Sequence, residues 1–340
     1  MLSLESYKNT TTSRGFKYHY YFAPAKQSKP TLLFCHGFPS TSQDWHRMIP
    51  HYEQQGYGIV APDMLGYGGT DKPVDPAAYK GTLMAKDMVE ILDAENVGKA
   101  IAIGHDWGVI TVSRLVNVAP DRIYAYAFLA LAYILPDPEW SYERTLKQNK
   151  ELVGRELFGY WKFFSREDGA KKIEDNWDSF FGVVFPEHID SWRKQPADST
   201  LEATMDKVAG KILPLPHYLS EEDRKIMSEV LLKGGLTAPT CYYKVQLNGD
   251  RLADDRTIPQ ERYIPPTSSP IFYAGGTEDS VCIPSMQRQV FKDPRFKDHQ
   301  VTNREFEAGH WFILSHANEL NAELAPWIES VVAQIEKPSL

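Results

Sequence analysis

The pentapeptide Gly104-His105-Asp106-Trp107-Gly108 restricts the possible folds of this chain more than any other segment. It follows a short apolar run at 100–103 and precedes a helix-like stretch at 109–117. Strand, sharp turn and helix in that order make a nucleophile elbow, whose middle residue is lifted above the end of the strand. Glycine two positions before and two after leaves room for the bend and the close helix. The middle residue here is Asp106 rather than Ser. A serine hydroxyl must lose a proton before it attacks, whereas a carboxylate with an ordinary pKa near 3.9 is already charged at neutral pH. An Asp elbow therefore suits substrates with an electrophilic sp3 carbon, such as epoxides and alkyl halides. Attack gives an alkyl ester on the protein, which a His-activated water can hydrolyse. The blander role for Asp106 is a cap on the following helix, and residues further along the chain argue against it.

Such a nucleophile needs a later acid and then a His, in that chain order. Asp279 follows an apolar run at 270–273 through Gly275-Gly276-Thr277-Glu278, and His310 lies in Glu307-Ala308-Gly309-His310-Trp311 after a strand-like run at 302–306. His310 is expected as general base, with Asp279 holding its tautomer and stabilising the imidazolium. Glu278 and His316 are the neighbouring rivals. Glu278 reads as a solvent-facing residue, and His316 lies in a helix-like stretch. His36-Gly37-Phe38-Pro39 follows the first apolar strand. A loop there can aim the N–H of Phe38, together with that of Trp107, at a developing oxyanion. His36 and His105 read as buried supports, and His36, Pro39, Trp107 and Trp311 are expected to border the substrate.

The apolar runs Thr31–Cys35, 58–61, 100–103 and 122–132 are continuous rather than alternating. Between two of them lies a helix pattern carrying Leu83, Met84, Met88, Ile91 and Leu92. Apolar strands alternating with amphipathic helices predict a mostly parallel sheet covered on both faces. From 137 to 245 the chain is rich in aromatics and helical signals, at 157–164, 176–185 and 220–233, with no clear strand. Strand signals return at 270–273 and 302–306, and a last helix is expected over 319–335. The predicted plan is an α/β core, 1–136 and 246–340, interrupted by a helical cap at 137–245.

The net charge of −8 and the lack of a basic stripe argue against a nucleic-acid partner. The most apolar run, 124–135, is too short for a membrane span and holds three tyrosines. Residues 1–17 lack the apolar stretch of a secretory signal, so no membrane anchor is expected. Cys35, Cys241 and Cys282 are odd in number and dispersed, which favours free thiols in a reducing compartment, the cytoplasm. The tail Pro338-Ser339-Leu340 resembles a peroxisomal signal only distantly, because the basic residue is missing. No metal motif appears, the chemistry requires neither metal nor organic cofactor, and monomer and homodimer both stay open.

On four segments the chain resembles the soluble epoxide hydrolases: His36-Gly37-Phe38-Pro39, Asp63-Met64-Leu65-Gly66-Tyr67-Gly68, Gly104-His105-Asp106-Trp107-Gly108 and Gly309-His310-Trp311. The likeness runs from about residue 15 to about residue 330 and is strongest before Pro136. It is similar to the fungal and plant enzymes, which lack the phosphatase domain of mammalian homologues. The resemblance implies an α/β-hydrolase fold with a helical cap, a cis peptide at Phe38-Pro39, and a small apolar epoxide and water as the reacting partners. It also implies two cap tyrosines that donate hydrogen bonds to the epoxide oxygen. The candidates are Tyr160, in Phe158-Gly159-Tyr160-Trp161-Lys162-Phe163-Phe164, and Tyr243, in Tyr242-Tyr243-Lys244. Both sites depart from the family pattern. Phe164 is followed by Ser165-Arg166-Glu167-Asp168 rather than Gln-Glu-Pro-Gly, and Tyr242 replaces a Trp. Haloalkane dehalogenases are the nearest rival, with Trp107 as halide donor, but Phe38 stands where a second donor is usual. A non-catalytic receptor on the same fold is the rival of another class.

Overall fold

The computed structural model describes residues 1–187 and 201–336. Strands β3 (Thr31–Cys35), β4 (Gly58–Pro62), β5 (Ala100–His105) and β7 (Ile271–Gly276) are buried at every position, and β6 (Ile123–Leu129) at all but one. Strands with both faces covered can be apolar throughout, and this is why the sequence shows runs instead of alternation. Together with β1 (Tyr7–Thr11), β2 (Lys17–Ala23) and β8 (Val301–Phe306) they form an eight-stranded sheet in the order β1-β2-β4-β3-β5-β6-β7-β8. Pairing is parallel from β4 to β8, while β1 and β2 pair antiparallel.

Two differences from the sequence reading have physical causes. The polar N-terminus forms the antiparallel edge, β1 and β2. There only β2 turns large side chains inward, Tyr18 and Tyr20 among them, so no apolar run marks it. The strand expected over 122–132 stops at Leu129, because Ala130 takes φ +69°, a left-handed conformation that cannot continue a strand.

Helix α1 (Ile49–Gln54) follows the loop after β3, α2 (Gly81–Ala94) follows β4, and α3 (Gly108–Val118) follows β5. The C-terminal helix Ala317–Ile335 packs on the sheet through Trp327 against Phe272, with ring centroids 5.4 Å apart.

Between β6 and β7 the described residues contain helices and no strand. The first, Tyr142–Val153, starts where Ser141 accepts the Arg144 N–H and stops at Gly154, φ +76°. Helix Glu221–Leu232 begins with a reciprocal Ser220–Asp223 capping box. The boundary drawn at 245/246 falls inside the helix Cys241–Leu247. Both ends of the insertion are clasped to α3. The guanidinium of Arg114 donates to the Ile134 carbonyl at 2.7 Å and to Asp255 at 2.6 Å. Asp255 also accepts the N–H of Asp137 at 3.1 Å. All three cysteines are buried free thiols. Among the described residues, no helix is long and apolar enough to cross a membrane. The tail Pro338-Ser339-Leu340 lies outside the described residues.

Candidate active site

The turn after β5 holds Asp106 at φ +50°, a conformation uncommon for a residue with a side chain. The elbow glycines answer a steric demand. A Cβ on Gly108 would lie 2.1 Å from the Cys35 carbonyl oxygen, and one on Gly104 2.9 Å from the Gly108 backbone. The loop after β3 comes equally close, since a Cβ on Gly37 would lie 2.4 Å from Oδ1 of Asp106. That approach lets the Phe38 N–H donate to Asp106 Oδ1 at 2.8 Å, while the Trp107 N–H also bonds the carboxylate. The Phe38-Pro39 peptide is cis.

His36 anchors this loop from below. Its Nδ1 bonds the Gly37 carbonyl at 2.9 Å, and its Nε2 accepts the Met64 N–H at 2.8 Å. Nδ1 is therefore the protonated nitrogen of a neutral ring, and burial pulls its pKa down to about 4. His36 is fully buried and does not line the cavity, which corrects its expected place beside the substrate.

Oδ2 of Asp106 faces Nε2 of His310 at 3.6 Å. On the other side, Nδ1 of His310 lies 2.7 Å from Asp279 Oδ2. Oδ1 of Asp279 accepts the N–H groups of Val281 and Cys282, each at 2.8 Å. The rivals also line the cavity but stand apart from this relay: His316 bonds Ser315, and the exposed Glu278 leaves the His310 partnership to Asp279. His105 supports the arrangement from behind, with Nε2 3.0 Å from the His310 carbonyl. Burial pulls His105 down to about 3, so its ring is neutral.

The charges are interdependent. Burial opposes an imidazolium at His310, but Asp279 and Asp106 outweigh it and raise the group to about 9. Burial pushes the Asp106 carboxyl up, against the pull of His310 and of the two N–H groups. Asp279 is also buried, yet His310 and the two backbone donors hold it below the ordinary carboxylate value.

Above these residues lies a cavity of about 280 Å³. Phe38, Pro39, Asp106, Tyr160, Tyr243, His310 and Trp311 all line it. The two tyrosine rings are 5.9 Å apart, centroid to centroid. Burial, then the nearby Asp106 charge for Tyr160 and the Tyr160 and Asp106 groups for Tyr243, raise both phenols well above their usual value, so both keep their protons. The indole of Trp107 is not part of the lining, contrary to expectation. It packs behind Tyr243 at 5.1 Å and donates a hydrogen bond to that hydroxyl. Trp311, in the loop after β8, reaches the helical insertion between β6 and β7, its indole donating to the Val184 carbonyl at 2.7 Å.

Several lining residues escaped the sequence reading, among them Phe164, Val184, His217, Tyr218 and Val281. Val281 stands two places after Asp279, a proximity that could have marked it. The others, all between β6 and β7, carry no comparable signal.

Comparison with known proteins places residues 30–317 in a family described as the alpha/beta hydrolase fold. The chain is 35% identical over 314 residues to Epoxide hydrolase A of Mycobacterium tuberculosis, covering 88% of this chain and 90% of that protein. It is 26% identical over 308 residues to the pig Bifunctional epoxide hydrolase 2, which matches 89% of this chain, whereas the chain spans only 52% of that relative. Among solved structures, Epoxide Hydrolase A from Mycobacterium thermoresistibile superposes with a TM-score of 0.72 at 25% identity, covering 94% of this chain and 96% of that one.

Proposed function

Because the chain belongs to the epoxide hydrolase family of the α/β-hydrolase fold, we propose that it converts small apolar epoxides to vicinal diols through an ester on Asp106. The observation that carries this reading is the double engagement of the Asp106 carboxylate. Oδ1 is held by the Phe38 N–H, the Trp107 N–H also bonds the carboxylate, and Oδ2 faces His310 beside the cavity.

Each atom then has a task. The epoxide oxygen accepts hydrogen bonds from Tyr160 and Tyr243, which polarise the ring. Oδ2 of Asp106 attacks a ring carbon, the carbon–oxygen bond breaks to the oxygen, and a phenol supplies the proton to the alkoxide. The resulting ester is neutral. One of the two carboxylates raising His310 has thereby lost its charge, so its pKa falls and the ring gives up its proton, becoming the neutral imidazole that can accept one just when that is required. Nε2 of His310 takes a proton from water, and the water oxygen adds to the ester carbonyl. Oδ1 becomes the oxyanion, stabilised by the Phe38 N–H already bonded to it and by the Trp107 N–H on the same carboxylate. Collapse releases the diol, and the proton gained by His310 balances the one given by the phenol. Asp279 fixes the His310 tautomer and offsets its charge.

The dehalogenase alternative has no comparable support. Its halide donor, the Trp107 indole, is occupied by Tyr243 and lies outside the cavity lining. The test pairs styrene oxide with 1-bromobutane, reading diol by chromatography and bromide by a halide assay. Diol without bromide is expected. Bromide without diol would overturn the reading, and silence in both tubes would move the question to ligand binding on an inactive fold.

A further inference from the structure

The cluster Asp279, Cys282 and His310 combines a carboxylate oxygen, a thiol sulfur and an imidazole nitrogen, all within 4.8 Å of one another. Cys282 takes no part in the chemistry proposed above. Only its backbone N–H is used there, as a donor to Asp279. The three side chains come together because the turn after β7 folds back on Asp279, and the loop after β8 brings in His310. Asp279 and His310 line the cavity, so a small ion can reach them from solvent by the substrate's route.

We propose that this cluster is an inhibitory site for a thiophilic divalent cation, zinc or cadmium. Sulfur, nitrogen and oxygen donors together suit such ions, and the cavity leaves a fourth position for water. Zinc bonds of about 2.0–2.3 Å put tetrahedral ligand atoms roughly 3.3–3.8 Å apart, so the hydrogen-bonded Asp279–His310 pair, now at 2.7 Å, must open to admit the ion while the widest separation in the cluster, at most 4.8 Å, closes. Binding forms a metal–sulfur bond, and the thiol proton leaves to solvent. No oxidant or other reactant is needed. The ion binds Nδ1 of His310, the nitrogen on the Asp279 side, and the proton held there moves to Nε2, which then has no lone pair left to accept one from water. Asp106 is not a ligand, so ester formation can proceed while ester hydrolysis stops.

The binding claim rests on the geometry alone. The effect on turnover rests on the proposed function, so the experiment separates the two. Cadmium is added to the metal-free full-length protein, and the ultraviolet thiolate-to-cadmium charge-transfer band and the calorimetric affinity are recorded. Wild type is expected to show the band. Cys282→Ser is expected to lose it and to bind cadmium on the order of 10–100-fold more weakly, with Cys241→Ser as a control that changes neither. If Cys282→Ser fails to fold, Cys282→Val gives the same comparison. With zinc and an epoxide, diol release should stop while intact mass rises by one substrate, and a chelator should restore turnover. Absence of the thiolate band in wild type, or equal affinity in the Cys282 variants, overturns the site. Zinc binding through Cys282 without loss of turnover overturns its inhibitory role.

Discussion

The floor and the roof of the cavity are held by different interactions. On the floor, backbone fixes nearly everything. The Phe38 and Trp107 N–H groups hold Asp106, those of Val281 and Cys282 hold Asp279, and the Met64 N–H pins His36. The roof is built from rings. Tyr243 touches Phe38, Trp107 and Phe164 at centroid distances of 5.0, 5.1 and 4.6 Å, and Phe164 lies 5.0 Å from Phe38. Hydrogen bonds to backbone define position within tenths of an ångström, whereas ring packing tolerates exchanges of similar volume. The floor can therefore serve the reaction, while the roof adapts to the shape of the substrate.

If that division is right, changes on the floor cost more than changes on the roof. Asp106→Ala should reduce turnover on the order of 10⁴-fold or more while thermal unfolding stays near that of wild type. Steady-state diol formation by this variant would remove Asp106 from the mechanism. Gly37→Ala adds one methyl to the floor, where its Cβ meets Asp106 Oδ1 at 2.4 Å. It should lower kcat about 10²–10³-fold by displacing the carboxylate from the Phe38 N–H. A mild effect would mean that the loop can move aside. On the roof, Tyr160→Phe and Tyr243→Phe should each cost about 10–100-fold, the worth of one hydrogen bond to developing charge. Single-turnover kinetics should put that loss in ester formation rather than in ester hydrolysis. A larger loss in hydrolysis would mean that the phenols serve the floor's step.

A smaller effect tests the coupling between the carboxylates and His310. The His310 value of about 9 lies above the ordinary 6.5, so its imidazolium persists through neutral pH and is lost as pH rises through 9. In Asp106→Asn one of the two flanking charges is gone, and the His310 midpoint followed by NMR should fall by about one unit. An unchanged midpoint would mean that Asp279 alone sets it, and ester formation would then not prepare the base.

The same division explains what the sequence made visible. Positions under backbone constraint leave a mark in residue type. Gly104 and Gly108 bracket Asp106 because no Cβ fits there, and Asp279 sits just past β7, whose apolar run announces it, whereas His310 follows the polar strand β8 and is marked by its order after that acid. Tyr160 and Tyr243 were reached only through family resemblance, among 18 tyrosines. Nothing in their neighbours distinguishes a ring that faces a cavity from one that faces a core. His36 was legible as a loop anchor but not as a residue screened from the cavity, since depth beneath a loop leaves no local pattern. The antiparallel strands β1 and β2 were hidden for a related reason: β1 is a polar edge that needs no apolar run, and β2 turns tyrosines inward between polar neighbours.

The central claim is a covalent ester on Asp106 that needs His310 to leave. Intact-protein mass of His310→Gln after exposure to styrene oxide measures it directly. The claim requires a gain of one substrate mass, mapped by peptide analysis to Asp106 and absent when Asp106→Ala is combined with the same change. Substrate consumed with no adduct, or an adduct on another residue, would contradict it.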